Sequence, residues 1–474
     1  MAVIHAFGDD ALGDHDAVTL ARLVKNREVS AAELAQAAVA RARLVDPDLH
    51  PVVPGTAGLV SLPEGNEDSE LFGVPTFVKD NTDVAGLPTG HGSEAFTARA
   101  ASKDGPYTVQ LRSTGLTVIG KSRLPEFGFS ATTEFMTQPP VRNPWNLDYS
   151  VGASSGGSAA LVAAGVVPIA HGNDGGGSLR IPAACAGLVA LKPSRGRHID
   201  GPQAAHLPVR IVSEGVLTRT VGDTAAYVAA SENHWRNPRL PPIGRVLGPA
   251  SRVLRVGLLV DSITGGVVDA PTLAAVQDTA ELLASVGHVV DVLDIPVNDG
   301  FADDFVQYYA LLADLSASTA RIALDRRFDM TRIDGLTRGL RAHHRRTLSR
   351  TPGALRRLRA VARQYATMFA RHEVVLSPVL SQVAPPIGHL APTVEFPVLI
   401  DRLRRYAAYT PLNNVAGTPA ISLPMGMSPE GVPVGVQLSA AYGDDRTLLE
   451  LAYQLEELRA FPRIQDHGPR VANR

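Results

Sequence analysis

The sequence predicts an α/β fold, in which helices alternate with strands along most of the chain. Of the 474 residues, 45% are apolar and 19% are charged, which is typical of a globular protein with a large core. A strand over 254–260, a helix over 271–286 and a strand over 288–293 are expected to form a β-α-β unit. A large α/β core can contain a chain of this length in one unit, so we expect a single domain over 1–474.

Charge and composition exclude several function classes. The formal net charge of −2 predicts no general attraction to nucleic acid or to an anionic membrane. The longest apolar run, 159–170, is too short to span a bilayer and is expected to form a buried helix that leads into a strand. The single Cys185 cannot form an internal disulfide, and no basic segment followed by an apolar stretch opens the sequence. We therefore expect a cytoplasmic protein.

The first 70 residues are predicted to form N-terminal helices that pack on the rest of the chain. One helix is expected to begin after Asp16, and a capping box at 30–33 begins a second helix that ends near Pro47. Residues 51–70 are rich in Gly, Pro and acidic side chains and predict a loop. These elements are expected to contribute packing only.

Lysine is rare in this chain, since only five of the 45 basic residues are lysines. Lys79 follows Phe77 by two residues in an apolar segment that predicts a strand, so both side chains lie on one face. Arginine cannot be deprotonated in a protein, whereas a buried lysine can. If that face is the core, the pKa of Lys79 would fall from about 10.4 to roughly 7–8.

Residues 71–200 are predicted to form the catalytic core of the chain. The elements expected there are a helix over 106–113, a strand over 116–119, a tight turn over 143–146 and a buried strand over 187–191. Two glycine-rich runs lie between them: Gly152-Ala-Ser-Ser-Gly-Gly-Ser158 and Asp174-Gly-Gly-Gly-Ser-Leu-Arg-Ile-Pro182. Glycine can adopt dihedral angles that bring backbone N–H groups close to a ligand. The runs therefore predict an oxyanion site beside serine hydroxyls.

These runs, together with Lys79, resemble the motif of the amidase signature family of serine hydrolases. The fixed positions match, and the intervals of 75 residues from Lys79 to Ser154 and 24 residues from Ser154 to Ser178 fit the family. The resemblance implies that Lys79 is the general base, Ser154 the relay serine and Ser178 the nucleophile that forms an acyl-enzyme. It also implies that a carboxamide C–N bond is hydrolysed.

The resemblance further implies roles for residues around the serines. The backbone N–H groups that would form the oxyanion hole are those of Gly175, Gly176, Gly177 and Ser178. Asp174 and Arg180 would fix that loop. Ser155 could donate to the relay or cap the following helix, and both roles stay open. Ala153 stands where many members have glycine, and the Ala153–Ser154 peptide bond is expected to be cis.

For the whole chain, the family implies a single α/β/α domain with a mixed, twisted β-sheet covered by helices. It implies no metal and no organic cofactor, and a small-molecule amide as the substrate. The chain could form a homodimer. The run from His171 to Asp174 is similar to that of bacterial amidases of the nylon-oligomer type, which include 6-aminohexanoate-cyclic-dimer hydrolase.

The second half of the chain is predicted to shape the substrate pocket. A linker over 236–252 precedes the β-α-β unit, and residues 295–372 are expected to form a mainly helical, variable segment near the pocket. The candidates for substrate contacts are Phe301, Phe305, Tyr308, Tyr309 and the loop over 410–418, although core packing explains the aromatic residues equally well. The elements expected to complete the fold are strands over 374–377 and 434–438 and a helix over 445–457.

Several alternatives stay open. The pattern Gly152-x-Ser154-x-Gly156 also fits the nucleophile elbow of α/β-hydrolase esterases, but residues 143–149 predict a turn where that motif needs a strand. Residues 115–122 fit a phosphate-binding loop, yet the intervening positions are strand-like. Five arginines over 338–350 are interpreted as a solvated helix face, because aromatic residues are not interleaved with them. An amidotransferase-type subunit working in a complex resembles much of the chain, but its usual Ser-Arg-Tyr continuation is missing after Ser194.

Overall fold

The computed structural model describes residues 3–58, 66–264, 266–294 and 300–468, excluding the side chains of residues 202 and 203. The strands, in chain order, are β1 (Pro75–Lys79), β2 (Thr117–Ser122), β3 (Arg142–Asn143), β4 (Asn146–Ser150), β5 (Ile169–Asp174), β6 (Val189–Lys192), β7 (Ser213–Thr218), β8 (Arg255–Leu258), β9 (Val289–Val292), β10 (Val374–Pro378), β11 (Ala420–Met427) and β12 (Pro433–Ala440).

The helices surround these strands. They are α1 (Ala17–Lys25), α2 (Ala31–Leu49), α3 (Pro106–Ser113), α4 (Gly156–Ala163), α5 (Arg180–Ala186), α6 (Pro202–Ala205), α7 (Val221–His234), α8 (Ala270–Ser285), α9 (Phe301–Ala323), α10 (Gly335–Arg346), α11 (Thr351–Ala366), α12 (Phe396–Tyr406), α13 (Pro411–Ala416) and α14 (Asp445–Leu458). Short 3-10 helices are Glu126–Gly128, Leu348–Arg350, Thr367–Ala370 and Ile464–Asp466.

An open, mixed sheet of eight strands forms the centre of the fold, in the order β5-β7-β6-β11-β12-β10-β8-β9. Neighbours from β5 to β10 are antiparallel, whereas β8 is parallel to both β10 and β9. Two smaller pairs, parallel β1–β2 and antiparallel β3–β4, complete the strands. The mixed sheet confirms the α/β class.

Helices cover both faces of this sheet, as two close glycine contacts show. A Cβ atom at Gly435 would lie 2.5 Å from Ala184 Cβ on α5, whereas one at Gly426 would lie 2.9 Å from Ala275 Cβ on α8. Gly426 pairs with Val434, and successive residues of a strand point to opposite faces. The α5 and α8 helices therefore lie on opposite sides, which gives the expected α/β/α layering.

Several predicted elements occur where the sequence placed them. Helix α3 has the predicted bounds, and the capping box of α2 is formed in both directions between Ser30 and Glu33. The β-α-β unit is present as β8, α8 and β9. Residues 236–252 contain no helix or strand. The predicted loop over 51–70 lies partly outside the described residues.

Several predictions were wrong in their bounds, and two of them have a clear local cause. Helix α2 does not end at Pro47 but continues to the buried Leu49. Because Pro47 lies in the last turn, it costs the helix a single N–H bond. The turn expected over 143–149 is shorter, because the Asn143 side chain accepts the Trp145 N–H at 3.1 Å and the chain re-enters β4 at Asn146.

Candidate active site

Lys79 ends β1 and its side chain is completely buried. Its Nζ atom lies 2.7 Å from Ser154 Oγ, 2.7 Å from Asn173 Oδ1 and 3.4 Å from the Asn173 carbonyl oxygen. Burial lowers the pKa of Lys79 to about 7, although the negative charges of Glu214 and Asp174 act in the opposite direction. A substantial fraction of the amine is therefore neutral near pH 7.

The three contacts of Lys79 suit a neutral amine. Two N–H bonds of the amine can point at the two oxygen atoms of Asn173, both of which are hydrogen-bond acceptors. The remaining lone pair then faces Ser154 and can accept its hydroxyl proton. Asn173 was not assigned a role from the sequence, because nothing local indicates which amide faces Lys79.

A buried histidine and glutamate hold the backbone of Lys79. The Lys79 N–H donates to His171 Nδ1 at 3.1 Å, and His171 Nε2 lies 3.0 Å from Glu214 Oε2. Burial lowers the pKa of His171, so the ring is neutral near pH 7. Because Nδ1 accepts, the proton sits on Nε2 and is donated to the carboxylate. This connection fixes the end of β1 against β5 and β7.

The serine loop has the conformation that the family resemblance implies, since the Ala153–Ser154 peptide bond is cis. Ser155 Oγ donates to the Asn173 carbonyl at 3.3 Å and makes no capping bond to α4. The helix-cap role considered for the Ser155 hydroxyl is therefore wrong, and its role as a relay donor stays a prediction. The Ser155 N–H donates to the Ser178 carbonyl at 3.2 Å and thereby ties the two serine loops together.

Ser178 lies in the glycine loop that follows β5, and only 7% of the residue is exposed. Its hydroxyl makes no hydrogen bond to any residue that the structure describes, and it lines an apolar cavity. The structure thus brings Lys79 and Ser154 into hydrogen-bond contact, whereas the Ser178 hydroxyl is not bonded to Ser154.

The glycine loop is held by the carboxylate of Asp174. Gly177, with a φ of 128°, donates its N–H to Asp174 Oδ1 at 2.7 Å. The Gly177 N–H is therefore bonded within the loop, and its assignment to the oxyanion hole stays a prediction. Within the described part of the chain, the N–H groups of Gly175, Gly176 and Ser178 have no protein acceptor. These three donors remain available to a ligand.

Arg180 completes the support of this loop. Its guanidinium forms a buried ion pair with Asp174 at 2.9 Å. Although burial alone would raise the pKa of Asp174, the charge and hydrogen bonds of Arg180 outweigh it and hold that pKa well below its usual range. Further acceptors for the guanidinium are Thr410, Asn413, Asn414 and Gln437. The adjacent amides Asn413 and Asn414 in an otherwise apolar segment are a sequence signal for this buried network.

An apolar cavity opens above Ser178. Its empty space, including the mouth, is about 790 Å³, and its lining includes Phe129, Ile181, Phe301, Phe305, Tyr309 and Leu340. Gly176 lies at its base, because a Cβ there would approach Tyr309 Oη to 2.4 Å. Tyr308 does not line the cavity, since its hydroxyl is buried and donates to the Val209 carbonyl at 2.6 Å.

The described residues contain neither a metal-binding cluster nor a membrane-spanning helix. Among the described residues, no group of three or more His, Cys, Asp or Glu side chains is arranged to hold a metal ion. No helix in the same residues is long and apolar enough to cross a membrane.

Comparison with known proteins connects this site to a family. The family model described as Amidase matches residues 58–449. A putative amidase AmiC of Mycobacterium tuberculosis (strain ATCC 25618 / H37Rv) is 47% identical, with 100% of both chains covered. A 6-aminohexanoate-cyclic-dimer hydrolase of Pseudomonas sp. (strain NK87) is 32% identical over 93% of this chain and 94% of that protein. A solved structure of 6-aminohexanoate cyclic dimer hydrolase superposes with a TM-score of 0.85 at 29% identity, covering 98% of this chain and 100% of that one.

The match spans most of the chain and includes both the serine loops and the central sheet. We conclude that the chain belongs to the amidase signature family and is an amidase, an enzyme that hydrolyses amide C–N bonds.

Proposed function

We propose that this amidase works through an acyl-enzyme on Ser178, with Ser154 as the relay and Lys79 as the base. The observation that carries the proposal is the 2.7 Å contact between Ser154 Oγ and a buried amine whose pKa is about 7. A serine hydroxyl needs such a base to become a nucleophile. On substrate binding, rotation of the Ser178 side chain would bring its hydroxyl to Ser154.

Proton movement through the relay then serves both halves of the reaction. As Ser178 attacks the carbonyl carbon, its proton passes to Ser154 and the Ser154 proton passes to Lys79. The same path returns a proton to the leaving amine or ammonia when the C–N bond breaks. Water then attacks the acyl-enzyme with the relay acting again as base, and the carboxylic acid is released.

The carbonyl oxygen would be held by the three unpaired N–H groups of Gly175, Gly176 and Ser178. Each such donor contributes about 3–4 kcal/mol to stabilising the oxyanion in other hydrolases. The bonds from Asp174 to Gly177 and Arg180 keep the loop in shape before the substrate arrives. Asp174 and Arg180 are therefore proposed as supporting residues, and Ser155 as a residue that ties the loops.

The substrate is proposed to be a small or medium carboxamide with an apolar acyl part. Residues 71–200 supply the catalytic core, whereas residues of the helical segment over 300–372 contribute much of the apolar wall. The lining of the cavity is mainly apolar, as is usual for sites that bind small molecules. Linear and cyclic amides both fit this description, and the name of the Pseudomonas relative supports a cyclic one.

The two alternative functions receive less support. An esterase using Ser154 as its nucleophile would need a histidine partner, but the Ser154 hydroxyl is bonded to Lys79. An amidotransferase subunit would bind glutamine, whose ammonium and carboxylate need charged partners close to Ser178. Among the described lining residues, Arg404 alone is charged.

The test is substitution and trapping of the nucleophile. Ser178→Ala should lower kcat at least ~10⁴-fold, because the covalent intermediate cannot form. Turnover is to be measured by mass spectrometry over aryl, aliphatic and cyclic amides. The exposed Ser285 on α8 provides a matched control, and Ser285→Ala should keep full activity. A fluorophosphonate should label Ser178, and label on Ser154 with Ser178 untouched would contradict the proposal.

A further inference from the structure

The apolar cavity borders on a cation. Among its described lining residues, Arg404 of α12 is the one charged side chain. Arg404 also lines a second cleft, which is formed by α9, α10, α11, α12 and the Leu348–Arg350 turn and is called the polar cleft below. Val306 and Ile400 line both spaces. The apolar cavity that holds Ser178 and the polar cleft therefore share a wall, and Arg404 is the charged residue of that wall.

The present partner of Arg404 is easily exchanged. Its guanidinium lies 2.7 Å from the carboxylate of Asp303, whose side chain is 72% exposed. Such solvent-exposed pairs contribute little net free energy, because water screens both charges. A carboxylate carried by a bound ligand could therefore replace Asp303 at low cost. It could accept two parallel N–H bonds from the planar guanidinium.

The charges of the polar cleft favour an anion. Arg357 and Asp304 neutralise each other through two contacts of 2.7 and 2.6 Å. Burial and the neighbouring arginines lower the pKa of His343, which keeps this ring neutral near pH 7. The side chain of Arg350 makes no ion pair or hydrogen bond with any residue in the described part of the chain. One positive charge of the cleft is thus uncompensated.

We propose that Arg404, assisted by Arg350, binds an anionic group at the far end of the substrate's acyl chain. The preferred substrates are then amides whose apolar acyl group ends in a carboxylate. The apolar walls contact the chain, Ser178 meets the carbonyl carbon, and the guanidinium groups take the distal charge. This inference rests on the proposed function in one respect, that the acyl group occupies the cavity beside Ser178.

The experiment compares two matched probes, an alkanoyl p-nitroanilide and the ω-carboxyalkanoyl p-nitroanilide of the same chain length, over a series of lengths. The quantity measured is the ratio of kcat/KM for the anionic probe to that for the neutral probe. The wild-type ratio should exceed one at its best chain length. Arg404→Gln should lower it about tenfold, since a charge-assisted bond to the carboxylate is lost.

Two further variants test the direction of the effect. Asp303→Asn removes the competing carboxylate and should raise the ratio about threefold, in keeping with the small free energy of an exposed pair. Arg350→Gln should lower the ratio about threefold. It weakens the positive potential of the polar cleft but keeps the contact between Arg404 and the carboxylate of the probe. The control is Arg405→Gln on the same helix, because Arg405 pairs with Asp401 at 3.1 Å and lines neither space.

An unchanged ratio in Arg404→Gln, or an equal change in Arg405→Gln, would overturn the inference. A binding measurement tests the distal site separately from the catalytic proposal. Calorimetry gives the affinity of both probes for the wild type and for Arg404→Gln. If the wild type hydrolyses neither probe but binds the anionic one about tenfold more tightly than Arg404→Gln does, the distal site stands and the proposed function fails. Equal binding by both proteins would reject the distal site.

Discussion

Lys79 and Lys121 lie at the ends of the paired strands β1 and β2, and both side chains are completely buried. Lys121 Nζ lies 2.9 Å from the carboxylate of Asp80. Within the described residues, Lys79 Nζ bonds only to neutral groups, which are the side-chain and carbonyl oxygens of Asn173 and the hydroxyl of Ser154. Burial is the same in the two places, so the difference in chemistry comes from the contacting carboxylate. Lys121 is thus part of a buried ion pair, whereas the amine of Lys79 faces the Ser154 hydroxyl.

The position of Asp80 shows how the sheet makes this difference. Asp80 follows Lys79 directly, and its N–H donates to the Ser122 carbonyl at 3.0 Å, so the β1–β2 ladder extends to it. Adjacent residues of a strand point to opposite sides. The carboxylate therefore faces Lys121 on the neighbouring strand and is kept away from the Lys79 amine.

Lys192 adds a third case to the comparison. It is also completely buried, and burial together with the charge of Arg180 lowers its pKa to about 7. Its Nζ donates to the Pro193 carbonyl at 2.9 Å and bonds to no hydroxyl in the part of the chain that the structure describes. A lowered pKa is therefore not sufficient for a relay, which also needs a hydroxyl such as that of Ser154 in contact with the amine.

The largest expected effect comes from making the Lys79 side chain a permanent cation. Lys79→Arg should lower kcat/KM by up to ~10⁴-fold, as much as Lys79→Ala does, because a guanidinium cannot accept a proton. Steady-state kinetics of both variants provide the measurement. Lys25→Arg is the matched control, since Lys25 is exposed and paired with Asp68 on the surface. An active Lys79→Arg enzyme would remove Lys79 as the base.

Removing the carboxylate that pairs with Lys121 should lower the stability of the protein more than it lowers the catalytic activity. Asp80→Asn leaves Lys121 buried without an anionic partner, and breaking a buried pair in this way costs about 3–5 kcal/mol. Denaturant unfolding measures this loss, with the exposed Lys25–Asp68 pair as the reference, where Asp68→Asn should cost under about 1 kcal/mol. Equal losses in the two variants would contradict the comparison.

The smallest expected effect comes from placing a carboxylate beside the Lys79 amine. Below its pKa of about 7 the amine is protonated, so kcat/KM should fall as the pH falls. Asn173→Asp should raise the pKa of Lys79 by about 1–3 units and move this acidic limb to higher pH. Activity at pH 7 should drop at least about fivefold and recover in alkaline buffer. Asn237→Asp, in the half-buried segment after α7, should leave the profile unchanged.

An Asn173→Asp enzyme with an unshifted acidic limb would mean that the limb does not report Lys79. A shift in Asn237→Asp of similar size would mean that the effect is a general one of added negative charge. Full pH profiles of kcat/KM distinguish these outcomes from a simple loss of folded protein, which lowers activity equally at every pH.

Local patterns were sufficient for much of the fold. The capping box of α2 and the bounds of α3 depend on residues within a few positions of each other, and both occur as predicted. Strand β7 was missed, although it lies second in the central sheet. Its sequence, Ser213–Thr218, mixes polar and apolar residues that are all buried, so it shows no alternation.

The motif also indicated that Lys79 and Ser154 meet in the folded protein, although it gave no sign of Asn173. The spacing of Lys79, Ser154 and Ser178 was readable from the sequence, and burial of Lys79 followed from the apolar strand that carries it. The sequence could not show that the Gly177 N–H donates to the carboxylate of Asp174. A hydrogen bond of that kind depends on the path of the loop, which glycine leaves open in the sequence.

The sequence by itself determined the family, the α/β class and the position of a buried lysine at the end of a strand. Only the tertiary structure decided which partners that lysine and its neighbouring loop would have. The Arg180 bond to Asn414 spans 234 positions, and the connection from Lys79 through His171 to Glu214 crosses three strands. Such contacts follow from how strands and helices pack, and a local pattern carries no information about groups that meet only after the chain has folded.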